Sequence, residues 1–155
     1  PHKSRGYKVV VQISKRFPGW GKQAGLQAIS TGQGMAAANY AVVVDEDIDI
    51  FDQEQVDWAI ATRMDPAEDV ILLPKVGVYP LNPAASQRTD VDPSSGYTEF
   101  CHIGKMVIDA TRKIASENRR PTTEHVVPDR EALEKVTSKW NEYGLSKWNK
   151  SKDIY

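Results

Sequence analysis

The run Tyr40-Ala41-Val42-Val43-Val44 limits this chain more than any other segment. It is continuously apolar and ends in β-branched residues, the pattern of a strand covered on both faces inside a parallel sheet. Such a strand needs a partner on each side and cover above and below. Tyr7–Ile13 and Asp69–Pro74 have strand-like compositions, and Lys105–Ala110 supplies a fourth candidate. Helical signals lie between them. Phe17-Pro18-Gly19 is a turn that opens an Ala-, Leu-, Gln- and Met-rich stretch from Trp20 to Asn39, with Ala24, Ala28 and Met35 on one face. Asp52 with Gln55 three residues later forms a capping-box pattern ahead of Val56, Ala59, Ile60 and Arg63, and Asp65-Pro66 closes that element. Strands alternating with helices over short connections predict an α/β fold with a mostly parallel sheet and flanking helices.

Two further features set the organisation. Lys75–His102 has little regular pattern, with Pro80, Pro83 and Pro93, and a loop of that length usually serves function or wraps a partner. Arg112–Val127 is polar and reads as a linker. Beyond it, Asp129 is placed to cap a helix whose Leu133, Val136, Trp140 and Tyr143 form an apolar stripe, ended by Gly144 with Leu145 after it. The division expected is an α/β unit over 1–111, then a linker and helix over 112–155 that extends to a partner subunit.

Composition narrows the function classes. Twenty Lys and Arg stand against 21 Asp and Glu, too balanced for a polyanion-binding surface, so nucleic acid is not an expected partner. No apolar run reaches the length that crosses a bilayer, so no membrane partner is expected. The single cysteine, Cys101, excludes an internal disulfide and fits a reducing cytoplasm. Its neighbour His102 would project to the opposite side of an extended segment, which argues against a nucleophile–base pair. His2, His102 and His125 lack zinc-ligand spacing. Gly19-Trp20-Gly21 with Gly25 misses the dinucleotide-loop spacing by one residue, and close helix–strand packing explains it as well.

The acidic segment Asp45-Glu46-Asp47-Ile48-Asp49, with Asp52, has two readings. Carboxylates at the end of a parallel strand could hold Mg²⁺ for phosphoryl transfer. A turn and a helix cap explain the same residues with no metal, and no phosphate-binding glycine loop accompanies them.

Three stretches carry a resemblance. Val42–Asp52, continuing through Val56–Arg63 to Pro66 and Asp69, resembles the UbiD family of reversible decarboxylases. So do Gly104-Lys105-Met106-Val107-Ile108-Asp109-Ala110-Thr111 and Trp140-Asn141-Glu142-Tyr143-Gly144. The resemblance implies the C-terminal portion of an enzyme acting on an aromatic, optionally phenolic, carboxylic acid through a prenylated-FMN adduct that releases CO₂. It also implies a divalent metal, with K⁺ as a further candidate. In that family the flavin site, the metal ligands and the catalytic Glu–Arg–Glu network precede the motifs matched here. No catalytic, cofactor-binding or metal residue is therefore expected in this chain, and Pro1 reads as a truncation or cleavage point. The resemblance places Tyr79, Pro80 and Leu81 on the wall of the substrate pocket. The partners it implies are the small aromatic acid, the N-terminal cofactor-binding portion and further copies of the chain, as a dimer or higher homo-oligomer. The fragment alone is expected to be inactive. The competing expectation is a non-catalytic assembly or regulatory subunit on the same fold.

Overall fold

A computed structural model describes residues 7–78, 82, 84–87, 101–117 and 128–147. The chain separates into two compact units, Pro1–Thr122 and Thr123–Tyr155.

The first unit is a sheet with helices on both faces. Its elements are β1 (Lys8–Ile13), α1 (Trp20–Ser30), α2 (Gly32–Ala37), β2 (Tyr40–Asp45), α3 (Gln53–Arg63), β3 (Val70–Val78), β4 (Ser86–Gln87) and β5 (Cys101–Asp109). The strand order is β1-β2-β5-β3, with β4 also on β5. β1, β2 and β5 run parallel, Val10 opposite Val42 and Val42 opposite Ile108. β2 is thus the inner strand its composition predicts. Alternate residues feed two cores. Val42, Val44 and Ile108 pack with Val56 and Ala59 of α3, while Ala41, Val43 and Val107 pack with Ile29 of α1. The α/β fold and its parallel centre follow the sequence.

Three details depart from the expected elements. The helix within Trp20–Asn39 is broken: Thr31 is extended and Gly32 takes a φ of 49°. A Cβ on Gly34 would lie 1.7 Å from the Ala28 carbonyl oxygen, so the two short helices meet closer than any side chain permits. Lys105 is buried at this break and donates to the carbonyls of Ile29 (3.3 Å) and Gly34 (2.9 Å), the latter also accepting from Ala38 N at 3.1 Å. β3 runs past Pro74 to Val78, antiparallel to β5. It tolerates the proline because it is an edge strand, and its register shifts between Leu73 and Val76, where Lys75 has a φ of 56°. β5 begins at Cys101, four residues before the strand read from the sequence. Cys101 is buried and His102 half-buried on successive positions of β5, so they do not form a side-by-side pair.

The second unit contains α4 (Arg130–Ser138). Asp129 Oδ1 accepts from Ala132 N at 2.7 Å, the predicted cap. Beyond Ser138 a further turn ends at Gly144, whose φ is 71°. Gly144 N donates to the Asn141 carbonyl and Leu145 N to the Trp140 carbonyl, both at 3.1 Å, the paired bonds of a Schellman stop. Trp140 is buried and Leu133 half-buried, whereas Val136 and Tyr143 are exposed.

Candidate functional site

The acidic segment leaves β2 at the carboxyl ends of the parallel strands, where α/β folds place ligands. Here its charges are already taken. Arg63, on the last turn of α3, reaches Asp47 with Nη1 at 3.0 Å and Nη2 at 2.6 Å, and Asp45 with Nη1 at 3.5 Å. Arg112, just past β5, lies 3.3 Å from Asp47 and 3.9 Å from Asp45, and its backbone N–H also donates to Asp45. The Arg63 guanidinium is fully buried and sits 5.0 Å from the centre of the Trp58 ring.

These contacts divide the two carboxylates. Burial pushes the Asp45 pKa up despite the Arg112 N–H and the two guanidinium groups that pull it down. Asp47 is more open, and the Arg63 hydrogen bonds hold it below the ordinary carboxylate range. Asp49 accepts from Phe51 N at 2.9 Å and closes a tight turn. Asp52 accepts from Glu54 N and Gln55 N at the head of α3. Gln55 completes the start of the helix differently from a reciprocal capping box: its Oε1 accepts from Asp49 N, and its Nε2 donates to Asp52. Of the two readings of this segment, turn, cap and ion pairs account for the residues. Among the described residues no three His, Cys, Asp or Glu side chains converge as metal ligands. Replacing Asp52 with alanine is expected to cost about 1 kcal/mol. A change of under a few tenths in a urea titration would remove Asp52 from the capping role.

A cleft of about 240 Å³ lies beside this network, lined by Ser14, Lys15, Asp45, Glu46, Arg112 and Ile114. Lys15 in it is spoken for: its Nζ donates to Glu117 at 2.7 and 2.9 Å and to the Arg112 carbonyl at 3.0 Å. The cleft is therefore a crossing of internal ion pairs. Gly21 and Gly25, both within α1, pack closely against the sheet, whereas Gly19 ahead of the helix has nothing within 4 Å of a Cβ. A Cβ on Gly21 would lie 2.3 Å from the Asp109 carboxylate, so that side chain stands against the first turn of α1, where a bound phosphate would lie.

Tyr79, Pro80 and Leu81 lie outside the described residues, as do His2, His125 and Trp148. The residues flanking the 79–81 segment are placed. Val78 pairs with Cys101, and Ser86 and Gln87 of β4 pair with His102 and Cys101 from the other flank of β5. Between them Asn82 is buried and donates through Nδ2 to Asn39 Oδ1. Sequence reasoning missed Arg63, Arg112, Lys105 and this asparagine pair as structural partners. A signal existed only for Lys105, a lone cation next to the apolar run Met106-Val107-Ile108.

The family described as 3-octaprenyl-4-hydroxybenzoate carboxy-lyase C-terminal domain matches residues 1–110. A phenolic acid decarboxylase of Bacillus subtilis is 34% identical over 116 residues, 75% of this chain and 22% of that protein. The fold is similar to the vanillic acid decarboxylase of Sedimentibacter hydroxybenzoicus, with a TM-score of 0.66 and 28% identity over 91% of this chain and 27% of that one. It is also similar to the UbiD-class enzyme HmfF of Pelotomaculum thermopropionicum in complex with FMN, with a TM-score of 0.59 and 28% identity, covering 81% and 24% of the two chains. The chain spans about a quarter of the length of the curated relatives it matches.

Proposed function

Because the chain belongs to the UbiD decarboxylase family through its C-terminal domain, we propose that it is the substrate-wall and assembly portion of a decarboxylase acting on an aromatic, phenolic carboxylic acid. The observation that carries this reading is the match over residues 1–110 to a carboxy-lyase C-terminal domain, together with phenolic and vanillic acid decarboxylases among its relatives.

The cleft beside Arg112 does not itself fit prenylated FMN. The cleft beside Arg112 is smaller than the roughly 300–1,000 Å³ of ordinary ligand pockets. Its two cations are engaged with Glu117, Asp45 and Asp47, so neither is left for a flavin phosphate. The cofactor, its divalent metal and any K⁺ therefore belong, in this proposal, to the N-terminal portion of the protein. This chain contributes Tyr79, Pro80 and Leu81 to the pocket. Tyr79 offers a ring face for stacking and a phenol for hydrogen bonding to a ring hydroxyl.

Assembly is the second role. The exposed Val136 of α4 and Tyr143 of the turn that follows it offer apolar surface suited to a neighbouring copy in a homo-oligomer. No helix among the described residues is long and apolar enough to cross a membrane. A cytoplasmic site of action completes the proposal.

The test is CO₂ release from a panel of phenolic acids, measured on the full-length protein reconstituted with prenylated FMN and on the isolated 155-residue chain. Turnover of at least one acid by the full-length protein, with none by the chain, is expected. Tyr79→Ala in the full-length protein should reorder the panel. A flavin-loaded full-length protein that decarboxylates none of them would overturn the reading in favour of a non-catalytic assembly subunit.

A further inference from the structure

We propose that Arg112–Glu117 is a strap across the crevice between the carboxyl ends of β1 and β2, with Lys15 as its catch, and that it opens as a unit while the sheet stays folded. The crevice is set by the helices. α1 packs on the sheet face of Ala41, Val43 and Val107, and α3 on the face of Val42, Val44 and Ile108. The connections leaving β1 and β2 thus diverge to opposite faces, the arrangement that opens a crevice between neighbouring strand ends in α/β folds. Here the chain leaving β5 supplies Arg112 and Ile114 to that crevice, opposite Ser14 and Lys15 after β1 and Asp45 and Glu46 after β2.

The strap starts from a fixed point. Thr111 is fully buried, and its backbone N–H and its hydroxyl both donate to Asp109 Oδ1. Arg112 then bridges two strand ends: its N–H donates to Asp45, and its carbonyl accepts from Lys15 Nζ at 3.0 Å. Lys113 lies 3.0 Å from Asp69, ahead of β3. A short 3-10 turn, Ala115–Glu117, brings a carboxylate back to the Lys15 ammonium, which donates to its two oxygens at 2.7 and 2.9 Å. Glu117 Oε2 also accepts from Ile114 N at 2.8 Å, so the turn closes on itself around the ion pair.

All these tethers are polar. Ala110 belongs to an apolar core, and no residue of Arg112–Glu117 does. A segment held in that way, beside strands whose valines are fully buried, opens locally at less cost than the whole domain unfolds. Lys15 is the catch because its side chain is 1% exposed and it grips the strap at both ends, at Arg112 and at Glu117. Opening hands the crevice an ammonium and, at Asp45, a carboxylate that the closed strap keeps paired.

The test is hydrogen exchange of the full-length protein, resolved at single amides, with Lys15→Met and Glu117→Ala variants. The amides of Arg112, Ile114 and Glu117 donate to Asp45, to the Glu117 carboxylate and to the Ile114 carbonyl. In the wild type these three should share one opening equilibrium, more open than that of Val42–Val44. Lys15→Met should speed all three by about tenfold or more and leave Val42–Val44 within about twofold. Glu117→Ala covers the case in which Lys15→Met fails to fold. It should speed the Arg112 amide as well, although that amide is bonded to Asp45. Exchange that quickens stepwise from Arg112 to Glu117 would mean fraying from one end and would overturn the inference. So would exchange of the strap in step with Val42–Val44, or unchanged rates in folded Lys15→Met.

Discussion

Replacing Arg63 with alanine is expected to destabilise the sheet unit by about 3–5 kcal/mol, the range for removing one partner of a buried ion pair. The Arg63 side chain is 0% exposed and that of Asp45 7% exposed, so neither charge has water to fall back on. In the variant Asp45 would keep the Arg112 N–H and a guanidinium 3.9 Å away, and Asp47 would lose its two shortest bonds. Burial already raises the Asp45 pKa with Arg63 present. Without it, part of the cost is relieved by protonation, and the loss should shrink as the pH is lowered through the carboxylate range. Arg112 is the internal control. Its guanidinium is 37% exposed, so Arg112→Ala should cost no more than about 1 kcal/mol. Urea unfolding of the 155-residue chain and both variants measures the difference. Equal losses for the two would mean that the acids are held by an exchangeable pair of surface cations and that Arg63 has no special place.

That network shows where sequence reasoning stops. The five acids of Asp45–Asp52 were visible as a cluster, and the local roles of Asp49 and Asp52 were readable because a turn and a cap depend on neighbours two or three residues away. The partner of Asp45 and Asp47 was not readable, because Arg63 lies 18 and 16 residues along the chain and its spacing marks it as one more position on a helix face. The same division holds for the fold. β2, the Asp129 cap and the Gly144 stop rest on local chemistry and appear where expected. The break at Thr31–Gly32 and the run of β3 through Pro74 follow from tertiary placement: the close approach of α2 to α1, and an edge position that forgives a missing N–H. Tyr79, Pro80 and Leu81 were singled out by family resemblance alone, and they lie outside the described residues. The Asn39–Asn82 bond was not readable either, because the two residues are 43 positions apart and neither belongs to a periodic pattern.

The second large effect is expected at Gly25, where two rules predict opposite signs. Gly25 sits inside α1, where helix propensity alone favours alanine by about 1 kcal/mol. The packing says otherwise. A Cβ there would lie 2.3 Å from Val107 Cγ1 and 3.1 Å from Val43 Cγ2. Both valines are fully buried on neighbouring strands, and a β-branched side chain has few other rotamers into which to retreat. Gly25→Ala therefore has to lift α1 from the sheet or strain Val107, and overpacking of this kind costs about 1–3 kcal/mol. A net loss of stability is expected despite the propensity gain. The clash is local, so shortening its other partner should relieve it. Val107→Ala alone leaves a cavity and should destabilise the chain, yet Gly25→Ala introduced into that background should be neutral or stabilising. Urea unfolding of the two single variants and the double variant gives the coupling directly. Additive losses would show that α1 has moved away as a whole, and a gain from Gly25→Ala alone would mean that this helix does not pack on β2 and β5 as closely as the structure has it.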